Sequence, residues 1–245
     1  ASLASFIKKI FRIKRFFLET EYGVFYIDPV SNFGDALITN GVYELDLTNY
    51  FKNTLKEGDV FIDIGANEGY YSILSASLVG NKGKVFAVEP QSRLQNILFN
   101  NIEENKTFNV KVFQNAISDK IGTALINLTP DMNTGSSGMF RSTKYKCPTE
   151  IIPQTTLSDF FSLLNITNVK LLKMDIEGFE YYAILGSKEI FKNNIIENIA
   201  LEFHPEIIKE HGYNVDEILK FLKDAGYKKD KKYIIDDDST IIFSK

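Results

Sequence analysis

The chain has 245 residues, of which 44% are hydrophobic and 24% charged, the balance of one globular domain with room for an extension. A net charge of -4 leaves no basic field to recruit nucleic acid. The single cysteine, Cys147, excludes an intramolecular disulfide framework and a cysteine zinc cluster, which fits a reducing, cytoplasmic setting. No apolar run reaches the roughly 18 residues of a membrane span.

Residues 3–18 place Leu3, Phe6, Ile7, Ile10, Phe11, Phe17 and Leu18 at helical spacing, with Lys8, Lys9, Arg12, Lys14 and Arg15 among them. A basic amphipathic helix is expected. It either packs on the domain with its lysines in water or makes a peripheral contact with an anionic membrane surface. The charges interrupt the apolar run, so it does not read as a secretory signal. Residues 23–27 (GVFYI) read as a short strand. Residues 28–40, with Pro29, Asn32, Gly34 and Asn40, read as loop, and residues 43–56 as a helix. Residues 1–42 are taken as an N-terminal extension and residues 43–245 as the main domain.

A regular alternation then begins. Val60–Ile64 is an apolar strand, Tyr70–Leu78 a helix, Lys84–Val88 a strand ended by Pro90, Leu94–Glu104 a helix and Val110–Phe113 a strand. Strands alternating with helices imply a parallel sheet covered on both faces. Residues 129–149 carry many turn formers, including Gly135, Ser136 and Ser137, with Arg141 among them. A segment of this kind is a candidate lid or substrate loop, or plain surface. Thr155–Leu164 is expected as a helix, Val169–Met174 as a buried strand, Phe179–Leu185 as a helix, Ile195–Phe203 as a strand and Val215–Ala225 as an amphipathic helix. Tyr233–Ile235 and Thr240–Phe243, around the turn at Asp236–Ser239, complete an antiparallel hairpin.

The turn after the first core strand reads Asp63-Ile64-Gly65-Ala66-Asn67-Glu68-Gly69. Gly65 allows close backbone approach to a ligand. The N–H groups of the loop and the following helix are expected to face a carboxylate, and Asp63 an ammonium; a methionine moiety carries both. The G-x-x-x-G spacing departs from the G-x-G-x-x-G of dinucleotide binders. Glu89 stands 20 residues after Gly69 at the end of the second strand, where an acid binds both ribose hydroxyls. Its alternative role is a helix-entry carboxylate before Pro90. Asn115 and Ala116 follow the third strand, near the point where class I methyltransferases, which the chain resembles here, hold the adenine edge with polar groups; the alternative is a turn. Together these residues favour an adenosyl cofactor.

With these motifs in place the chain resembles the FkbM family of methyltransferases over roughly residues 43–230. The resemblance rests on Tyr43-Glu44, VFIDIGANEGYYS (60–72), VFAVEP (85–90), NAISD (115–119), TTLSDF (155–160), LLKMDIEGFE (171–180), ILGS (184–187) and LEFHPE (201–206). Residues 1–35 lie outside it. It implies an α/β class I methyltransferase, Rossmann-like fold: a seven-stranded, mostly parallel sheet in the order 3-2-1-4-5-7-6 with an antiparallel C-terminal hairpin. It implies S-adenosyl-L-methionine as cofactor, bound by Asp63, Gly65, Ala66, Asn67, Gly69, Tyr70, Glu89, Pro90, Asn115, Ala116 and Asp175. It also implies O-methylation of a hydroxyl on a sugar or small natural product. The alternative is a catalytically inactive cofactor-binding scaffold.

An aliphatic hydroxyl is a poor nucleophile, so a base is expected. Asp175 ends a buried strand, where open α/β sheets place their ligands, Glu177 follows in the same turn, and His204 ends the next strand. These three are the catalytic candidates. Asp175, Glu177 and Glu202 could also hold Mg²⁺, but the spacing does not demand it, and no metal site is assigned. Glu180 is expected to stabilise a helix start and His211, before Gly212, to end a helix. The expected partner is a small-molecule or glycan acceptor, not nucleic acid.

Overall fold

The computed structural model describes residues 8, 10–129, 137, 148–235 and 240–245. In chain order the elements are β1 Phe16–Thr20, β2 Gly23–Ile27, α1 Asn32–Asn40, α2 Leu45–Thr54, β3 Val60–Ile64, α3 Tyr70–Val79, β4 Lys84–Val88, α4 Ser92–Glu104, β5 Val110–Phe113, β6 Ala116–Ile117, β7 Gly122–Asn127, β8 Thr149–Thr155, α5 Leu157–Leu164, β9 Val169–Met174, α6 Glu180–Leu185, α7 Lys188–Lys192, β10 Ile196–Glu202, α8 Pro205–Glu210, α9 Val215–Asp224, β11 Lys228–Ile235 and β12 Thr240–Ser244.

Seven strands form the main sheet in the order β11-β12-β10-β9-β3-β4-β5. Counted by appearance within that sheet, this is the expected 3-2-1-4-5-7-6. The five strands from β10 to β5 run parallel, and β12 joins them antiparallel. The fold is therefore the class I methyltransferase arrangement. Alternation along each strand divides the core. Ile62, Ile64, Phe86, Leu172 and Leu201 meet Phe160, Phe161, Ile184 and Phe191 on one face. Phe61, Val85, Leu171 and Ala200 meet Phe51, Tyr71 and Ile73 on the other.

The N-terminal region differs from expectation. Residues 16–20 are strand β1, paired antiparallel with β2, where a helix through residue 18 was expected. Phe17 and Leu18 fit the helical spacing, but Phe16–Thr20 has the aromatic and β-branched content of a strand. Residues 1–7 and 9 lie outside the described part, as does most of the expected loop 129–149, including Gly135, Ser136 and Arg141, and the turn Asp236–Ser239. Residues 32–40, expected as loop, form α1. Ser31 caps it by accepting from the Gly34 N–H at 3.0 Å, and a Cβ on Gly34 would meet the Asp28 carbonyl at 2.0 Å. That glycine serves close packing.

The β1–β2 hairpin joins the main core through Phe25 and Ile27. Asn101 and Asn105 of α4 hold its backbone. The Tyr26 N–H donates to Asn101 Oδ1 at 2.6 Å, and Asn105 bonds both the N–H and the carbonyl of Val24. A second sheet, β6-β8-β7, was not foreseen. It absorbs Thr155, which was expected in a helix; α5 begins at Leu157, capped by Thr156. Among the described residues, no helix is long and apolar enough to cross a membrane.

Candidate active site

The turn after β3 lies against the turn after β9. The Asp175 N–H donates to the Ile64 carbonyl at 3.0 Å. Gly65 has φ +83°, and a Cβ there would sit 1.8 Å from the Asp175 carbonyl oxygen. Only glycine lets the two turns meet this closely.

A cleft of about 50 Å³ opens at the strand ends, lined by Gly65, Asn67, Glu89, Pro90, Asn115, Ala116, Asp175 and Glu177 among others. A second cavity of about 40 Å³ adjoins it, lined by Asp63, Gly65, Ala66, Asn67, Tyr70, Lys173 and Asp175 among others. Gly65, Asn67 and Asp175 line both. Of the expected cofactor residues, only Gly69 lines neither; it stands at the N-cap of α3.

Glu89 is buried at the floor of the larger cleft. Its Oε2 accepts from the Asn67 N–H at 2.8 Å and its Oε1 from the Gln91 N–H at 2.9 Å. Each oxygen keeps lone-pair capacity for a ribose hydroxyl. Burial raises its carboxyl to about 7, against the opposing pull of those two N–H groups.

Four N–H groups of the glycine turn are engaged within the protein. The Gly65 and Ala66 N–H groups donate to the Val88 carbonyl, Asn67 to Glu89, and Gly69 to the Ala66 carbonyl. Asp63 takes the start of α3 instead: Ser72 Oγ donates to its Oδ2 at 2.7 Å. Asp63 Oδ1 is buried without a hydrogen-bond partner among the described residues. Burial raises the Asp63 carboxyl, with the Lys173 charge opposing.

Asp175 and Glu177 occupy a tight turn in which Glu177 has φ +52° and Gly178 φ +96°. A positive φ at glutamate stores strain that the surrounding turn must hold. His204 lies close by. Its Nδ1 meets Glu180 Oε1 at 2.9 Å, and its Nε2 faces Glu177 Oε2 at 3.7 Å and Glu202 Oε1 at 4.0 Å. Burial pulls His204 down, but the Glu180 hydrogen bond and the Glu180, Asp175 and Glu177 charges outweigh it and hold the imidazole at about 9. These partners favour the protonated ring. Burial, then Asp175, raise Glu202 to about 8. Among the described residues, Asp175, Glu177 and His204 offer ligand atoms within 4.8 Å of one another.

One site residue does more than the sequence reading expects, and another escaped it. Glu180 is fully buried and does more than start α6. Its Oε1 also accepts from the Ile176 and Gly178 N–H groups, fixing the turn that carries Glu177. Lys173 is a buried ammonium in β9, 3.5 Å from Asp175 Oδ2 and 5.4 Å from the Tyr71 ring centre. Burial opposes its charge, but Asp175, Asp63, Glu202 and Glu44 hold it above its ordinary value. Glu44, whose role was open, accepts from the Tyr71 hydroxyl at 2.6 Å.

This sheet order, with a glycine turn and an acid at the end of the neighbouring strand, defines a class I methyltransferase domain. The sequence matches the Methyltransferase FkbM domain over residues 63–229, and the chain belongs to that family. A match to the protein-L-isoaspartate(D-aspartate) O-methyltransferase family covers residues 7–118. A probable cobalt-precorrin-6B C(15)-methyltransferase (decarboxylating) of Sulfolobus acidocaldarius is 32% identical over 85 residues, 32% of this chain and 44% of that protein. The chain thus spans under half of that curated relative. The FkbM methyltransferase structure from Methylobacillus flagellatus is similar at 14% identity and a TM-score of 0.48, covering 81% of this chain and 50% of that one. A SAM-dependent methyltransferase from Aquifex aeolicus is similar at 18% identity and a TM-score of 0.45, covering 82% and 88%. S-adenosylmethionine is the cofactor of this fold, and the residues present suit it. Glu89 can accept from two hydroxyls, and Asp63 Oδ1, without a partner among the described residues, can accept from an ammonium.

Proposed function

We propose that the protein methylates a hydroxyl oxygen of a sugar or another small natural product. One observation carries the reading: Asp175 and Glu177 line the cleft beside Gly65, with His204 and Glu180 fixed behind them. S-adenosylmethionine, when bound, supplies a sulfonium-activated methyl carbon and leaves as a neutral thioether.

The chain's own residues then have three tasks. Glu89 and the Gly65 turn hold the adenosine end and set the methyl's direction; such positioning supplies several kcal/mol. The Asp175–Glu177 carboxylates take the acceptor's proton, since His204 already carries one. The His204 cation, 3.7 Å from Glu177, steadies the ionised carboxylate and fixes its orientation. The carboxylate-lined mouth and the net charge of -4 disfavour a nucleic-acid backbone and favour a neutral polyhydroxyl acceptor.

The test is transfer of a labelled methyl group to a panel of hydroxylated sugars and metabolites. Glu177→Gln and Asp175→Asn should slow turnover on the order of 100-fold or more while retaining S-adenosylhomocysteine binding. Unchanged turnover in both variants would remove the proposed proton acceptors. Labelling at nitrogen or carbon alone would overturn O-methylation.

A further inference from the structure

Beyond Glu89 the cleft has an apolar end. Val88, Ile117 and Ile126, all buried, line it together with Gln91, Asn115 and Ser137. A flat heteroaromatic ring suits such a slot, because its faces meet aliphatic side chains and its edge meets polar ones. The walls belong to different sheets. Val88 ends β4 of the main sheet and Gln91 follows it, whereas Ile126 lies in β7 of the small sheet, and Thr129 and Ser137 come after that strand. The shape of the slot therefore depends on what ties the two sides together.

Two ties are made at the start of α4. The Ser92 N–H donates to the Glu150 carboxylate of β8 at 3.2 Å, but neither residue lines the cleft. Arg93 makes the other. Its Nε and Nη2 donate to Gln91 Oε1 at 3.0 and 2.8 Å, its Nη1 to the Thr129 carbonyl at 2.8 Å and its Nη2 to Ser137 Oγ at 3.0 Å. Arg93 does not line the cleft itself; two of its partners, Gln91 and Ser137, do.

The chemistry of these bonds fixes both partners. A guanidinium only donates, so the Gln91 amide must turn its oxygen towards Arg93, which settles the orientation of that side chain. Gln91 also donates its backbone N–H to Glu89 Oε1 at 2.9 Å, so the same residue touches the expected ribose ligand. Ser137 Oγ accepts from the Thr129 N–H at 3.0 Å as well as from Arg93, and lies 2.8 Å from Thr129 Oγ1. With both lone pairs taken, its own proton goes to Thr129 Oγ1.

We propose that Arg93 is a positioning residue for the nucleobase end of the cofactor: it staples Gln91 on one wall of the slot to Thr129 and Ser137 on the other, and so sets affinity and selectivity for adenine. A planar fork of donors can hold acceptors on both sides at once, which a lysine ammonium on its flexible stem cannot. The inference rests on the S-adenosylmethionine reading of the cleft.

Calorimetry with S-adenosylhomocysteine and S-inosylhomocysteine, in which an oxo group replaces the 6-amino group of the base, tests it. The wild type should prefer the first ligand. Arg93→Met should bind S-adenosylhomocysteine on the order of 10-fold more weakly, the scale of lost hydrogen bonds to a charged group, and should lose most of that preference. Arg93→Lys should restore little of either. Adding Ser137→Ala to Arg93→Met should cost nothing further, because the two side chains act as one unit. Glu150→Ala cuts the other tie and should leave affinity and preference as in the wild type. Unchanged affinity in Arg93→Met, additive losses in the double variant, an equal loss in Glu150→Ala, or a wild type without preference would each overturn the proposal and leave the cofactor reading standing. If Arg93→Met does not fold by circular dichroism, Ser137→Ala decides: about a 3-fold loss with a reduced preference supports the staple, and unchanged binding overturns it. A wild type that binds neither ligand removes the cofactor reading and the proposal with it.

Discussion

Replacing Gly65 with alanine tests the contact between the two site-bearing turns. The added Cβ would sit 1.8 Å from the Asp175 carbonyl oxygen, whereas real Cβ atoms essentially never come within 3.0 Å of another atom. The turns must therefore part by at least about 1.2 Å, the difference between those distances. The Asp175 N–H to Ile64 carbonyl bond, 3.0 Å long, spans the same contact and must give with them. Forced overpacking of this kind costs about 1–3 kcal/mol, added to the roughly 1–2 kcal/mol of holding alanine at positive φ. Gly41 supplies the control. Its φ is +70°, but nothing lies within 4 Å of its Cβ position, so Gly41→Ala carries only the backbone cost. Urea unfolding of the two variants should differ by about 1–3 kcal/mol, and only Gly65→Ala should weaken S-adenosylhomocysteine binding. Equal destabilisation, with unchanged affinity in both, would refute the close-packed turn as the basis of the site.

Other expectations concern charge. Glu180→Gln keeps a hydrogen-bond acceptor but removes the charge behind His204, so the imidazole should fall from about 9 towards its ordinary value near 6.5; an NMR titration that leaves it unmoved would contradict the assignment. If His204 works as a cation, turnover should decline as pH rises through about 9; a rise there would make it the base. Glu89, Glu202 and His204 are all held above their ordinary values, at about 7, 8 and 9. The folded protein thus holds more protons than the unfolded chain. The stability these groups contribute is full below their ordinary values and is lost as pH rises through the folded ones, so the cofactor-free protein should unfold at lower urea near pH 9 than near pH 6. A midpoint that is flat or rises over that window would contradict this. Arg15 grips the buried Glu68 of the glycine turn through two bonds of 2.7 and 2.9 Å and also donates to the Tyr26 carbonyl. Arg15→Met strands that carboxylate and should destabilise the protein by about 3 kcal/mol, measured by chemical unfolding; a loss below about 0.5 kcal/mol would show the pair to be dispensable.

Much of the fold was legible because strands such as Lys84–Val88 are short apolar runs and alternate with helices. The Gly65 turn and Glu89 stood at strand ends that could be placed from the sequence. The failures have local causes. Gly34 reads as a turn glycine until Asp28 is seen packed against it. Leu125 and Ile151 of the small sheet are exposed, so its strands lack a clean apolar face. Lys173 was visible as a charge inside an apolar strand, yet its meaning depends on Asp63 being its register partner. Glu180 reads as a helix-start acid, and its grip on His204, 24 residues away, arises only when β9 and β10 pair.

The central claim is that the cleft between Gly65 and Glu89 receives an adenosyl thioether. Calorimetric titration of S-adenosylhomocysteine into the wild type and Glu89→Gln tests it most directly. The account predicts saturable one-to-one binding to the wild type, weakening as pH falls through about 7, and on the order of 10-fold or greater loss in the variant. An absence of binding to the wild type, or equal affinity in the two proteins, would contradict it.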